Sequence, residues 1–258
     1  MAKTVLAAQL YTVREFSKTP ADFAQTLLKV RKIGYQAVQL SGHGPIEAAE
    51  IKRCLDEAGL ICCGTHVGIP NFTDQFDQLV AEHKLWGCEY PGIGGFFKKE
   101  AAAQDFIDLA RTFDAIGAKL REHGLTFVYH NHHHEFIKHG GKLAMDLIME
   151  NSSGQNVTME IDTHWVQRGG GDPAAWIAKC GRRGPMPLLH LKDFAVNPAD
   201  KTPLFAEIGE GNLNWPAILE AAKGAKVRWY IVEQDTCPRD PFESLQISYN
   251  NLLKMGLK

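Results

Sequence analysis

The residues best able to do chemistry in this 258-residue chain crowd into one short stretch, FVYHNHHHEF, Phe127 to Phe136, where four histidines and a glutamate follow an apolar run. Imidazoles at this density can bind a divalent ion, exchange protons near neutral pH or hydrogen-bond a polyol. Comparable groups close other apolar runs: Gln9 and Tyr11; Gln39 and His43; His66; Glu160 and Asp162 with His164 behind them; His190, Lys192 and Asp193; Glu233 and Asp235. Any one of these alone usually caps a helix or satisfies a loop amide. Their meaning depends on whether the fold brings them together.

The elements that would do so are short runs rich in Val, Ile, Leu and aromatics, alternating with longer amphipathic segments, which is the sequence form of βα units around a parallel sheet. Eight candidate strands are Val5–Leu10, Ala37–Leu40, Ile61–His66, Cys88–Ile93, Leu125–His130, Val157–Asp162, Pro187–Lys192 and Trp229–Gln234. The first helix shows full punctuation, with Thr19 as N-cap, Pro20 in the first turn and Gly34 as its stop. Gly59 and Gly124 stop later helices in the same way. Eight units in this length predict one (β/α)8 TIM barrel over residues 1–258. A doubly wound open sheet is the alternative, but no strand leads into G-x-G-x-x-G or G-x-x-x-x-G-K-[ST].

In a barrel the carboxyl ends of the strands form one mouth, so acids and histidines late in strands five to eight converge there. Unpaired charges are costly to bury together, and a divalent cation resolves that conflict. Carboxylates with an imidazole suit a fairly hard ion: Mn2+ is expected first, with Co2+, Mg2+ and Zn2+ as alternatives. Strand alternation puts Glu160 on the same side as Asp162, and His190 on the same side as Lys192. Lys192 stands equally as an interior ion-pair partner for Asp162 or Glu233.

Twenty-eight basic and thirty acidic residues leave a formal charge of -2. No strong field draws nucleic acid or an anionic membrane, and the expected partner is a small molecule. No apolar run reaches the roughly 18 residues of a membrane span, and the amino-terminal segment does not read as a signal peptide, so the expected location is cytoplasmic. The six cysteines show no CxxC spacing and read as buried thiols.

Six motifs, AAQLYTVRE, YHNHHHEF, EIDTHWVQRGGGDP, LLHLKDF, IGEGNLNW and IVEQD, resemble in order those of the sugar isomerase/epimerase branch of the xylose-isomerase-like barrels, in its Y-H-N-H-x-x-E-F sub-branch. The resemblance implies a metal held by Glu, Asp, His and Glu from strands five to eight. The last three match Asp162, His190 and Glu233. Where many relatives carry the strand-five glutamate this chain has His130, and Glu135 is the expected replacement, with His130 or His132 filling the place should Glu135 point away. The implied reaction is isomerisation or epimerisation of a keto sugar through an enediolate, with Glu233 and Glu135 as the acid/base pair and His132, then His130, as substitute bases. Gln9, His66, His164 and Lys192 are expected to contact substrate. A lyase or dehydratase acting on a keto-glycoside or keto-inositol is the alternative, and a non-catalytic sugar-binding barrel a third. The IGEGNLNW segment reads as a turn into N-cap Asn214 rather than a phosphate cradle, so an unphosphorylated sugar is expected. Phe72, Phe96, Phe97 and Trp165 are expected to divide between core and a wall over the sugar. VNPADKTPLF is expected to be a loop tip that covers the mouth or meets a second subunit of a homo-oligomer.

Overall fold

The computed structural model describes residues 4–257; residues 1–3 and 258, the ends of the expected domain range, lie outside the described residues. Eight parallel strands close a barrel in sequence order: Val5–Gln9, Ala37–Leu40, Ile61–His66, Pro91–Ile93, Phe127–His130, Val157–Asp162, Leu188–Leu191 and Trp229–Val232, here strands one to eight. Strand one pairs with strand eight, Val5 opposite Trp229, so no edge is left open. Each strand falls within an expected run. Strand four starts at Pro91 rather than Cys88 because the Cys88 amide donates instead to the His83 carbonyl, 2.9 Å away, in the turn that ends the preceding helix at left-handed Gly87.

Period-two alternation sorts the strand residues. Leu6 and Ala8 of strand one, with Leu10 just after it, join the apolar layer between barrel and helices. The intervening Val5 and Ala7 pack with Ala37, Cys63, Val128, Leu188, Trp229 and Ile231, which together fill the lower interior. Above that floor the inward positions turn polar: Gln9, Gln39, His130, Glu160, Asp162 and His190 are all buried. The expected caps hold the outer helices in place, with Thr19 Oγ1 accepting from the Asp22 amide at 3.2 Å ahead of Pro20–Ile33.

Two additions lie on the mouth. VNPADKTPLF is not a bare loop: Asp193–Val196 pairs antiparallel with Pro203–Ala206, Phe194 opposite Phe205. After strand five, a 3-10 turn at His134–Phe136 leads into a short ribbon of Lys138–His139 with Lys142–Leu143. Five of the six cysteines are buried. No helix of the described residues is long and apolar enough to cross a membrane.

Candidate metal centre at the barrel mouth

Strands five to eight each deliver one donor to the same place. His130, Asp162, His190 and Glu233 are buried, and one ligand atom from each lies within 4.8 Å of the others. His130 Nε2 is 3.2 Å from Asp162 Oδ2, and His190 Nδ1 is 3.1 Å from Glu233 Oε2 and 3.8 Å from Asp162 Oδ2. Separations of this size fit donors that share one ion through bonds of roughly 2.0–2.6 Å. Strand register produces the grouping, since Asp162 lies directly opposite His190 in the ladder.

Charge around the cluster is unbalanced. Lys192, fully buried, sets its Nζ 3.0 Å from Asp162 Oδ2, 2.7 Å from Glu233 Oε2 and 2.7 Å from Asp235 Oδ2. Burial alone would raise the pKa of Asp162 and of Glu233, but the adjacent ammonium and the hydrogen bonds from histidines hold both well below the usual carboxylate range. Asp235, by contrast, is pushed up by burial and by Glu233. Against its burial, His190 is held well above the usual imidazole range by Glu160, Asp162 and Glu233, so Lys192 and His190 together face four carboxylates, an excess of negative charge that a divalent cation would offset. The donor set therefore fits a divalent metal ion, and Lys192 is the interior ion-pair partner.

A buried polar layer sets the cluster's orientation. Gln9 Nε2 donates to Gln39 Oε1 at 2.7 Å, and Gln39 Nε2 donates to Glu160 Oε1 at 2.9 Å. With its amide hydrogens so used, Gln39 Oε1 accepts from His190 Nε2 at 2.5 Å, which leaves His190 Nδ1 to face Asp162 and Glu233. His66 Nε2 lies 2.6 Å from Glu160 Oε2. Burial raises Glu160, but the flanking His190 and His66 outweigh it and keep the carboxyl ionised. Such outer partners fix the tautomer and direction of a ligating imidazole. Gln39 and Glu160 were not among the expected site residues; their signal is the two-residue step, Glu160 sitting one inward position before Asp162.

Glu135 corrects the expected ligand set. It is fully buried, but Tyr129 donates its hydroxyl to Oε1 at 2.7 Å and the His132 amide donates to Oε2 at 2.9 Å. Tyr129 belongs to the layer outside the barrel, between inward-facing Val128 and His130. The 3-10 turn brings Glu135 back beneath the loop onto that outer side, so His130 occupies the position expected of Glu135 in the cluster. The role of Glu135 as an acid/base group at the mouth is corrected for the same reason.

Over the cluster opens a cavity of about 330 Å³ whose lining includes Tyr11, His66, Phe97, His130, His132, Glu233 and Asp235. Of the four expected substrate contacts, only His66 lines it. Gln9 lies in the layer below, and Lys192 is covered by the carboxylates it pairs with. His164 is capped by the hairpin: its Nδ1 donates to the Asp193 carbonyl at 2.8 Å and its ring stacks on Phe205 at 4.2 Å. His132 lines the cavity, and its Nδ1 has no hydrogen-bond partner among the described residues. Burial first, then the neighbouring His130 and Lys192, push its pKa down to about 2, so the imidazole is neutral. Gly95 lets the strand-four loop pass over it; at φ +138° a Cβ there would collide with the His132 ring. Among the expected wall aromatics, Phe72 is core, Phe96 and Trp165 are largely covered, and Phe97 stands at the rim.

Asp193 accounts for IGEGNLNW. Its carboxylate accepts from the amides of Gly209 at 2.8 Å, Gly211 at 3.2 Å and Leu213 at 3.3 Å, and from Trp215 Nε1 at 2.7 Å. Asn214 then caps the helix Trp215–Gly224, as expected, accepting from Ala217 N at 3.2 Å.

A closed (β/α)8 barrel with His, Asp, His and Glu gathered at the carboxyl ends of strands five to eight defines the class of protein. The chain belongs to the xylose isomerase-like TIM barrel family, whose pattern matches residues 27–246. The Rhizopine catabolism protein MocC of Rhizobium meliloti is 24% identical over 275 aligned residues, covering 92% of this chain and 82% of that protein. A sugar phosphate isomerase/epimerase from Parabacteroides distasonis superposes with a TM-score of 0.81 at 20% identity, over 98% of this chain and 96% of that one. The probable 3-DHS dehydratase AsbF from Bacillus anthracis does so with a TM-score of 0.72 at 12% identity, over 97% and 98%. These structural likenesses establish the shared barrel.

Proposed function

We propose that the protein is a metal-dependent isomerase or epimerase of an unphosphorylated keto sugar, with Mn2+ as its ion. The observation that carries this reading is the set of four donors within 4.8 Å at the floor of an open cavity. His130, Asp162, His190 and Glu233 would hold the ion. When bound, it would polarise the carbonyl and hydroxyl oxygens of a keto sugar and acidify the C–H between them.

The chain's own groups do the rest. Glu233, kept ionised by Lys192 and facing the cavity, is placed to take a proton from the sugar carbon. With Glu135 turned outward, the other side of the cavity belongs to imidazoles, and His132 offers the sugar a ring nitrogen that has no hydrogen-bond partner among the described residues. Lys192 and the layer of Gln39 and Glu160 keep these groups in place when the sugar enters. A free sugar rather than a phosphate ester is favoured because Asp193 already consumes the loop amides. Arg14 is likewise engaged, donating to the carbonyls of Tyr11 at 2.8 Å and Asp235 at 3.1 Å.

One observation favours a second reading. Beside ionised Glu233 the cavity is lined by Asp235, whose carboxyl is pushed up by burial and by Glu233, a pairing that suits removing one proton and protonating a departing oxygen, as a lyase or dehydratase of a keto-glycoside or keto-inositol would. The test is to incubate Mn2+-loaded protein in D2O with ketoses, an inosose and 3-keto-glycosides, and follow products by NMR. Deuterium in a recovered or rearranged sugar supports the isomerase/epimerase; loss of water or an aglycone supports the lyase. Saturable binding without either would mean a binding barrel.

A further inference from the structure

Phe97 is 71% exposed and Ile137 56% exposed, large apolar side chains that flank a single concavity. Scattered exposed hydrophobics need no explanation, but two beside one cleft do. This second cavity, of about 390 Å³, is floored by buried Phe106 and walled by Phe97, His134, Ile137 and His139. Phe97 also lines the cavity over the cluster, so its ring is the ridge between the two. The ridge is braced: ring centroids lie 4.8 Å from His132 and 5.4 Å from His134. Below it, Phe106 and His139 are 5.3 Å apart.

Walls of this kind accept a flat ring, edge-on or offset, better than an aliphatic chain. One polar demand remains, because His139 Nε2 is buried without a hydrogen-bond partner among the described residues. A phosphate would need several free cations, yet Lys98 at the rim is engaged by Asp105 at 2.6 Å, and Lys99 stands beside the acidic Glu100 in the same lining. A protein partner would need a contact of roughly 800 Å² on each side, far more than this trough offers. A bare ketose would leave the trough empty.

Building on the keto-sugar reading of the mouth, we propose that the substrate is a keto-glycoside with an aromatic, phenol-type aglycone: the sugar sits over the cluster, and the aglycone crosses Phe97 into the second cavity. Its hydroxyl or ring oxygen pairs with His139. Phe97 and Ile137 thereby set specificity without touching the reacting carbons.

Calorimetric titration of the Mn2+-loaded full chain with methyl and phenyl 3-keto-β-glucosides tests this. Wild type should bind the phenyl compound at least about tenfold tighter, a factor of roughly 1.4 kcal/mol. Phe97→Ala and Ile137→Asp, both at exposed positions where folding is little affected, should each remove most of that preference. Equal affinity for the two glucosides in wild type, with binding still dependent on metal, would overturn the aglycone site and leave the sugar site standing. A phenyl preference that survives both substitutions would also overturn it. Failure of both glucosides to bind would overturn both readings.

Discussion

Two buried regions less than one loop apart treat carboxylates in opposite ways. In the barrel mouth, Asp162, Glu233 and Asp235 face one another around a single ammonium, with Glu160 below. In the strand-five loop, Glu135 is just as buried but takes its hydrogen bonds from neutral donors, the Tyr129 hydroxyl and the His132 amide, with the His134 ring farther off at 3.4 Å. A carboxylate answered by neutral hydrogen bonds is a finished structural element. Carboxylates that outnumber their cations are a charge imbalance that a divalent ion can offset. The difference teaches that burial and acidity do not mark a functional glutamate; the identity of its partners does.

The comparison can be broken by substitution, beginning where the effect is greatest. Glu233→Ala removes both a ligand and the proposed base, and should lower turnover of an accepted sugar by about a thousandfold or more; a loss under tenfold would remove Glu233 from the chemistry. Glu135→Ala should leave turnover and metal content near wild type but cost about 2–4 kcal/mol of stability, because two buried donors lose their acceptor. Chemical denaturation of metal-free protein reads this directly.

A histidine sharpens the same rule. His83, fully buried, donates from Nδ1 to the Leu79 carbonyl at 2.7 Å and accepts from the Thr65 hydroxyl at 2.8 Å, again a group finished by neutral partners. Burial pushes its pKa down to about 4. The unfolded chain takes up a proton near pH 6.5 that the folded chain refuses, so this contribution is complete above pH 6.5 and declines as pH falls toward 4, by on the order of 3 kcal/mol. Unfolding free energies of wild type and His83→Asn should therefore diverge less at pH 4.5 than at pH 7.5; a constant gap would contradict the assignment. Smaller again is Glu160→Gln, which disturbs the layer orienting His190 and should weaken Mn2+ binding roughly tenfold.

How much of this was legible follows from what has a period. The strands and their inward ends could be read because side chains alternate every two residues and apolar runs end abruptly, which is why Asp162, His190 and Glu233 fall where expected. Glu135 could not be placed by counting, because the loop after strand five has no period and a 3-10 turn folds it back. A partial clue was present: Tyr129 lies between inward neighbours, so a group bonded to it must lie outside the barrel. The hairpin Asp193–Val196 with Pro203–Ala206 was hidden for another reason. Its Asn, Pro and Asp residues read as loop, while the pairing is held by contacts distant in sequence, Phe205 on His164 among them.

The most direct test weighs the two glutamate environments against each other by metal content. Wild type, Asp162→Ala and Glu135→Ala are each loaded with Mn2+, desalted and measured by inductively coupled plasma mass spectrometry. The account predicts about one ion per chain in wild type and in Glu135→Ala, and almost none in Asp162→Ala. Metal lost from Glu135→Ala while Asp162→Ala keeps it would contradict the account at its centre.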